Sequence, residues 1–308
     1  MDIKSLNETK KIFTERRATA LEKCEKQKQI LMQNEEYASL VKQIRLNTLS
    51  LSRALANGDD CSEFEKLDKQ LNKKLQDYES KNLNNANIYH CPTCKDTGIV
   101  NGKYCDCFIK TYKQVLRNKS GINALPVFTF KDNKISTIDC KQSKNLSTLY
   151  NSMYKYCNEF PNNKYKNIIL CGKAGVGKSC LLSSTLNELL DKGINAQYFT
   201  AFHLNSLFLK YHTTNFNERD YIFENLLETE VLIIDDLGIE PTIKNVTIEY
   251  LTVLLSERAG KHTIIATNLS PLELQNKYGD RVFSRLTNKE TNKLLYLEGD
   301  DLRHIENK

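Results

Sequence analysis

The string Gly172-Lys173-Ala174-Gly175-Val176-Gly177-Lys178-Ser179 follows an apolar run, Ile168-Ile169-Leu170, and precedes a helix-forming stretch from Cys180 to Leu190. Strand, glycine-rich turn and helix in that order leave few folds open. The pattern GxxxxGK[ST] in this context cradles a polyphosphate. Its glycines let backbone N–H groups turn inward, the helix N-terminus adds positive potential, Lys178 reaches the β- and γ-phosphates, and the Ser179 hydroxyl ligates Mg²⁺. Gly172 through Ser179, with Cys180 next to it, is therefore the expected phosphate-binding segment. The competing reading, a loop that only turns the chain, is disfavoured by the strand before it and the helix after it.

Short apolar runs at Asn167 to Cys171, Gln197 to Thr200, Val231 to Ile234, His262 to Thr267 and Leu294 to Leu297 alternate with helical stretches. This predicts an α/β domain, a parallel sheet with helices on both faces. The run Val231-Leu232-Ile233-Ile234 ends in Asp235-Asp236, and an acid at the carboxyl end of a parallel strand lies at the nucleotide crevice. Asp235 is expected in the Mg²⁺ shell and Asp236 beside the attacking water; alternatively the two acids merely end a strand. Asn268, at the end of the next run, suits holding that water or sensing the γ-phosphate, or else forms a turn before Ser270-Pro271. Arg281 and Arg285 stand four apart on one predicted helix face. Arginine stabilises charge on a transferring phosphoryl group and can come from a neighbouring subunit, whereas surface ion pairing is the plainer role. Arg303, beyond the last strand, is a further nucleotide-contact candidate.

Ten cysteines occur, and four of them, Cys91, Cys94, Cys105 and Cys107, fall in one short segment containing Gly98 and Gly102. CxxC followed by CxC with turn-forming glycines between them fits a tetrahedral structural Zn²⁺. An iron–sulfur cluster and free thiols are the alternatives, and His90 is an alternative ligand. A closed four-ligand site is structural rather than catalytic.

From Ile3 to Asn57 the chain has neither Gly nor Pro, and its apolar residues recur at helical spacing. The expectation is one long amphipathic helix, broken by Gly58-Asp59-Asp60. Ser62 and Glu65 have capping-box spacing and predict a second helix folding back on the first. Such a hairpin is either a small helical domain or a docking surface for a partner helix. The asparagine-rich stretch from Asn82 to Asn87 reads as a linker. The formal charge of +6 is uneven: residues 91–165 carry 12 basic and 5 acidic side chains, residues 166–308 carry 16 and 19. General attraction to nucleic acid is thus expected from the middle segment. No apolar run approaches the roughly 20 residues of a membrane span, so the chain is read as cytoplasmic.

Taken in order and spacing, GKAGVGKS, VLIIDDLG, TIIATN, GDRVFSRL and GDDLR resemble the AAA+ ATPase domain of DnaC/DnaI-type bacterial or phage replicative helicase loaders and of their IstB-group relatives. The preceding CPTCKDTG and GKYCDC resemble the zinc-binding region of Gram-positive and phage loaders. The resemblance implies an α-helical N-terminal domain over residues 1–85 that grips the hexameric helicase, a zinc knuckle over 86–110, a basic connector over 111–165, and an AAA+ P-loop NTPase core over 166–308. It implies ATP as ligand, Walker A at Gly172 to Ser179, Walker B at Asp235 and Asp236, sensor 1 at Asn268, Arg285 as arginine finger with Arg281 beside it, and Arg303 as sensor 2. The implied activity is an ATPase regulated by self-association and by single-stranded DNA, acting in helicase loading with initiator or primosome proteins. Phe202, Phe208, Lys210 and Tyr211 are candidate single-stranded DNA contacts, unless the phenylalanines are core. Walker B has Asp-Asp where many relatives have Asp-Glu, which implies slow hydrolysis, and the chain ends soon after Arg303, which implies no lid domain. The alternatives are an IstB-type transposition helper and a nucleotide-binding adaptor without hydrolysis.

Overall fold

The computed structural model describes residues 1–83, 88–125, 127–131, 142–299 and 301–302. They fall into two compact units, one formed by Met1–Ser5 with Tyr112–Lys308 and the other by Leu6–Thr111.

The larger unit is built on five parallel strands, β3 (Asn167–Gly172), β4 (Ala196–Thr200), β5 (Val231–Leu237), β6 (His262–Thr267) and β7 (Asn292–Leu297), in the order β4-β5-β6-β3-β7. The parallel sheet flanked by helices expected from the sequence is present. Strand period separates the two faces. Ile169, Cys171, Leu232, Ile234 and Ile265 form one core with α7 (Ala201–Thr213), α8 (Phe216–Glu228), α9 (Thr247–Glu257) and α10 (Pro271–Leu286). The alternate residues Ile168, Leu170, Ile233, Ile264 and Ala266 are equally buried on the other side, the side of α5 (Gln142–Glu159) and α6 (Lys178–Asp191).

Strand β5 runs past the expected Ile234 to Leu237, and its register against β6 shifts between Ile234 and Leu237. Asp236 sits in that irregularity with φ 55°, a left-handed conformation uncommon for a non-glycine residue. In α10 the backbone breaks at Gly279 (φ 76°, ψ 173°), so Arg281 and Arg285 lie on a second helical segment.

In the smaller unit the expected single helix is two. Helix α1 (Ile3–Leu31) stops at a turn, and α2 (Glu35–Asn57) starts at Asn34, whose side-chain oxygen accepts from the N–H groups of Glu36 and Tyr37. An N-cap asparagine with two acids in the first turn starts a helix where apolar spacing alone reads through. Helix α2 closes at Gly58 (φ 76°) as expected, and α3 (Ser62–Asn82) packs back on it. The expected capping box at Ser62 is not formed. The N-cap is Cys61, which caps through no side-chain bond, and the Asp60 carboxylate instead accepts from Ser62 N–H and Oγ–H. The hairpin is thinly packed: Tyr37 packs at a tilt against Tyr78 (5.6 Å between centroids) and donates its hydroxyl to Glu79, while Leu46, Leu49, Leu55 and Leu67 remain exposed. No helix among the described residues is long and apolar enough to cross a membrane.

Candidate functional site

Three strands, β3, β5 and β6, deliver candidate site residues at or just beyond their carboxyl ends. From β3 the chain turns through Gly175 (φ 80°) and Gly177 (φ 97°), a conformation that costs glycine no Cβ clash. Lys178 then opens α6. The residue is 5 % exposed, and its ammonium donates to the carbonyls of Gly172 and Lys173 (2.7 Å each) and to Oδ1 of Asn268 (2.5 Å). Ser179 donates its hydroxyl to Oδ2 of Asp235 at 2.8 Å, the two side chains expected to share Mg²⁺. Asp235 is buried, which pushes its carboxyl above the ordinary range, while the Ser179 and Tyr198 hydroxyls and the Asp236 N–H that donate to it oppose that rise. Asn268 lies between the lysine and the second acid, with its amide nitrogen 3.5 Å from Oδ1 of Asp236. Lys178, Ser179, Asp235, Asp236 and Asn268 are thus one connected group drawn from three strands. These are a cation for phosphate oxygens, a hydroxyl–carboxylate pair of the hard-oxygen type that Mg²⁺ takes, and a carboxylate and an amide able to orient water.

Tyr198, on β4, was not singled out from the sequence. Its hydroxyl donates to Asp235 at 3.1 Å from a position 6 % exposed. Nothing in the spacing of β4 links it to an acid on another strand. The chain beyond β7 also returns to the phosphate loop, where Leu302 N–H donates to Gly175 O at 3.0 Å. A Cβ at Gly175 would stand 2.0 Å from Asp301 Oδ1 and push that carboxylate aside, and the φ of 80° strains any other residue there. Arg303 lies outside the described residues.

Arg281 and Arg285 are exposed and stand at the opposite end of the sheet. Arg285 O accepts from Asn292, the first residue of β7, which pairs with Asn167 at the start of β3. Its guanidinium donates to Ser256 Oγ (2.8 Å) and Arg281 O (2.8 Å). The six residues of β3 put about 20 Å between that end and the phosphate loop. The structure therefore does not bring these arginines to the chain's own site. On α7, Phe208 is core, while Phe202 (60 % exposed) and Lys210 face solvent; Tyr211 packs between Phe223 and Tyr250.

In the smaller unit, Cys91, Cys94, Cys105 and Cys107 bring their sulfurs within 4.8 Å of one another. Cys91 and Cys105 are 3.9 Å apart, Cys94 and Cys107 3.4 Å; four thiolates about a tetrahedral Zn²⁺ stand about 3.8 Å apart, given a Zn–S bond of ~2.3 Å. The group forms because β1 (Ile99–Val100) and β2 (Lys103–Tyr104) close a hairpin over Asn101 (φ 50°) and Gly102 (φ 76°), the two-residue turn with both φ positive. Asp96, 1 % exposed, was also missed: its carboxylate accepts from the N–H groups of His90 and Cys91, both at 2.9 Å, and so pins the first ligand. The Cys94 N–H, donating to Cys91, draws that thiol down to about 7, whereas burial raises Cys94 and Cys107. His90 is exposed and outside the group. The donor set fits a structural zinc ion.

A family profile described as IstB-like ATP binding protein matches residues 123–289. Among solved structures, the chain is similar to the DnaC helicase loader (21 % identity over 59 % of this chain and 98 % of that one, TM-score 0.44) and to DnaI (21 %, 56 % and 89 %, TM-score 0.43). A DNA replication initiation factor aligns at 18 % identity over 56 % of this chain and 50 % of its own, with TM-score 0.45. A search of curated proteins finds no match. Because the profile spans more than half of the 308 residues and includes the phosphate loop, both acids, Asn268 and both arginines, the chain belongs to the family of IstB-like ATP-binding proteins.

Proposed function

We propose that the chain is an ATPase that loads a hexameric replicative helicase onto single-stranded DNA. Lys178 and the loop from Gly172 to Cys180 would hold the phosphates, Ser179 and Asp235 would hold Mg²⁺, which neutralises developing charge when bound, and Asp236 and Asn268 would orient the attacking water. The observation that carries the ATPase reading is the five-residue group at the strand ends, with Lys178, Asn268 and Asp236 in sequence across it. The distance of Arg285 from its own loop supports supply of the arginine to a neighbouring subunit, and hence turnover regulated by assembly. Phe202 and Lys210, exposed on α7, would meet single-stranded DNA by stacking and charge.

Loading rather than transposition is supported by the second unit, where a four-thiol cluster stands in the same compact body as a helical hairpin with exposed leucines. Zinc at Cys91, Cys94, Cys105 and Cys107 would fix that body, and residues 1–85 would grip the helicase. Initiator or primosome proteins would be the further partners. Size-exclusion chromatography of the full chain with the replicative helicase from the same source tests this. Co-elution lost on Leu49→Asp and retained by Lys178→Ala is expected, and the absence of any complex rejects the loader reading while leaving the ATPase reading to its own assay.

A further inference from the structure

The turn that follows the two acids is fastened to the helix that leads to the arginines. Glu240, 3 % exposed, accepts the Gly238 N–H on Oε2 (2.9 Å) and the Tyr278 hydroxyl on Oε1. Lys277 donates its ammonium to the carbonyls of Gly238 and Glu240, the latter at 2.8 Å, and stands 3.7 Å from the Glu240 carboxylate. Three residues separate Glu240 from Asp236, and Ile239 N–H donates back to Asp236 O at 3.2 Å. On the other side, Tyr278 is 1 % exposed and immediately precedes Gly279, where α10 breaks and the segment bearing Arg281 and Arg285 begins. Gln275 bridges the break to Asp280 at 2.8 Å.

A buried carboxylate is a costly way to pack a turn against a helix, since apolar side chains of similar volume do so without desolvating a charge. What the carboxylate adds is direction: its two oxygens fix a backbone N–H of the turn and a phenol of the helix at once. The hydroxyl of Tyr278 is raised above its ordinary range by burial and by Glu240, so it stays a donor. Asn268 and Leu269 connect β6 to this same helix, and the Leu269 side chain lies 2.6 Å from where a Cβ on Gly238 would be. The turn, Asn268 and the first half of α10 are accordingly one packed piece.

We propose that Glu240 and Tyr278 are positioning residues which set the direction in which the arginine-bearing segment leaves Gly279, linking the Asp236 turn of one subunit to the reach of Arg285 into its neighbour's nucleotide site. This rests on the reading of the chain as an ATPase completed between subunits. A side chain misplaced by about 1 Å far from the chemistry can cost up to ~100-fold in rate, so a loosened Gly279 is enough to weaken the arginine.

The test uses mixed full-length protomers with single-stranded DNA. Arg285→Ala protomers have a complete site and no arginine to lend; Asp236→Asn protomers have a silent site and an intact arginine. Their mixture is expected to restore turnover that neither shows alone. Tyr278→Phe added to the Asp236→Asn protomer should then lower the restored rate about tenfold at unchanged KM, and added to the Arg285→Ala protomer by less than about twofold. Glu240→Gln should show the same asymmetry, and binding of a fluorescent ATP analogue checks that each variant is folded. Equal losses from both protomers, or none from the Asp236→Asn side, overturn the proposal. A parental mixture without turnover overturns the underlying reading before Tyr278 is touched.

Discussion

The ammonium of Lys178 and the side-chain oxygen of Asn268 are 2.5 Å apart, so the residue that would hold phosphate and the one that would sense it are in contact across two neighbouring strands. The same ammonium caps two loop carbonyls, places that phosphate oxygens would compete for. Asn268→Ala is expected to bind ATP within about threefold of the parent and to lower kcat on the order of 100-fold, the loss typical of a removed donor at a transition-state oxyanion. Stopped-flow binding and steady-state phosphate release separate the two. Lys178→Ala should lose binding itself.

Tyr198 supports Asp235 from behind. Tyr198→Phe should therefore raise the Mg²⁺ concentration needed for half-maximal turnover about tenfold, the usual scale for removing a partner of a metal-binding carboxylate. ATP affinity measured without metal should stay unchanged. An equal rise in both would mean that the hydroxyl only packs.

For the cysteine cluster, one zinc per chain is expected by native mass spectrometry, with loss of structure in the 6–111 unit upon chelation. Asp96→Ala, which frees the Cys91 N–H, should weaken zinc about tenfold by competition with a chromophoric chelator. The nucleotide affinity should not move.

His262 supplies the pH dependence. Its imidazole is buried, accepts or donates a bond at Nδ1 with the Tyr156 hydroxyl at 2.7 Å, and is lowered by burial to about 4. An unfolded histidine titrates near ~6.5. Between those values the unfolded chain holds the extra proton, so stability is full above the unfolded value and is lost as pH falls toward the folded one. The thermal midpoint should drop between pH 6.5 and 4, and His262→Asn should flatten that drop. A drop of the same size in both proteins would point to other groups.

Much of the larger unit was legible because its signals are local. The glycine loop states its own conformation, and the alternation of apolar runs with helices states the sheet. Asp235, Asp236 and Asn268 were found by one rule, that strand ends meet at the crevice. Tyr198, Glu240 and Asp96 were not, because each acts on a residue brought near only by folding or by a loop whose φ values no pattern records. The helix boundary at Asn34 was missed for a different reason: apolar spacing continued through it, and only a side-chain oxygen turned toward two N–H groups marks the stop. Residue type alone proposes the arginines, and their distance from their own phosphate loop follows from where α10 ends.

Strand β6 stands between β3 and β5, so no rung of backbone bonds joins the strand carrying the phosphate loop to the strand carrying the acids. They are two jaws on a common spine. A nucleotide with its metal would bridge the two, with Lys178 and Ser179 on one side and the acids on the other, where the Ser179–Asp235 bond already joins them. On the acid side the ladder to β6 is interrupted at Asp236, so that carboxylate stands on a backbone kink rather than on a regular rung.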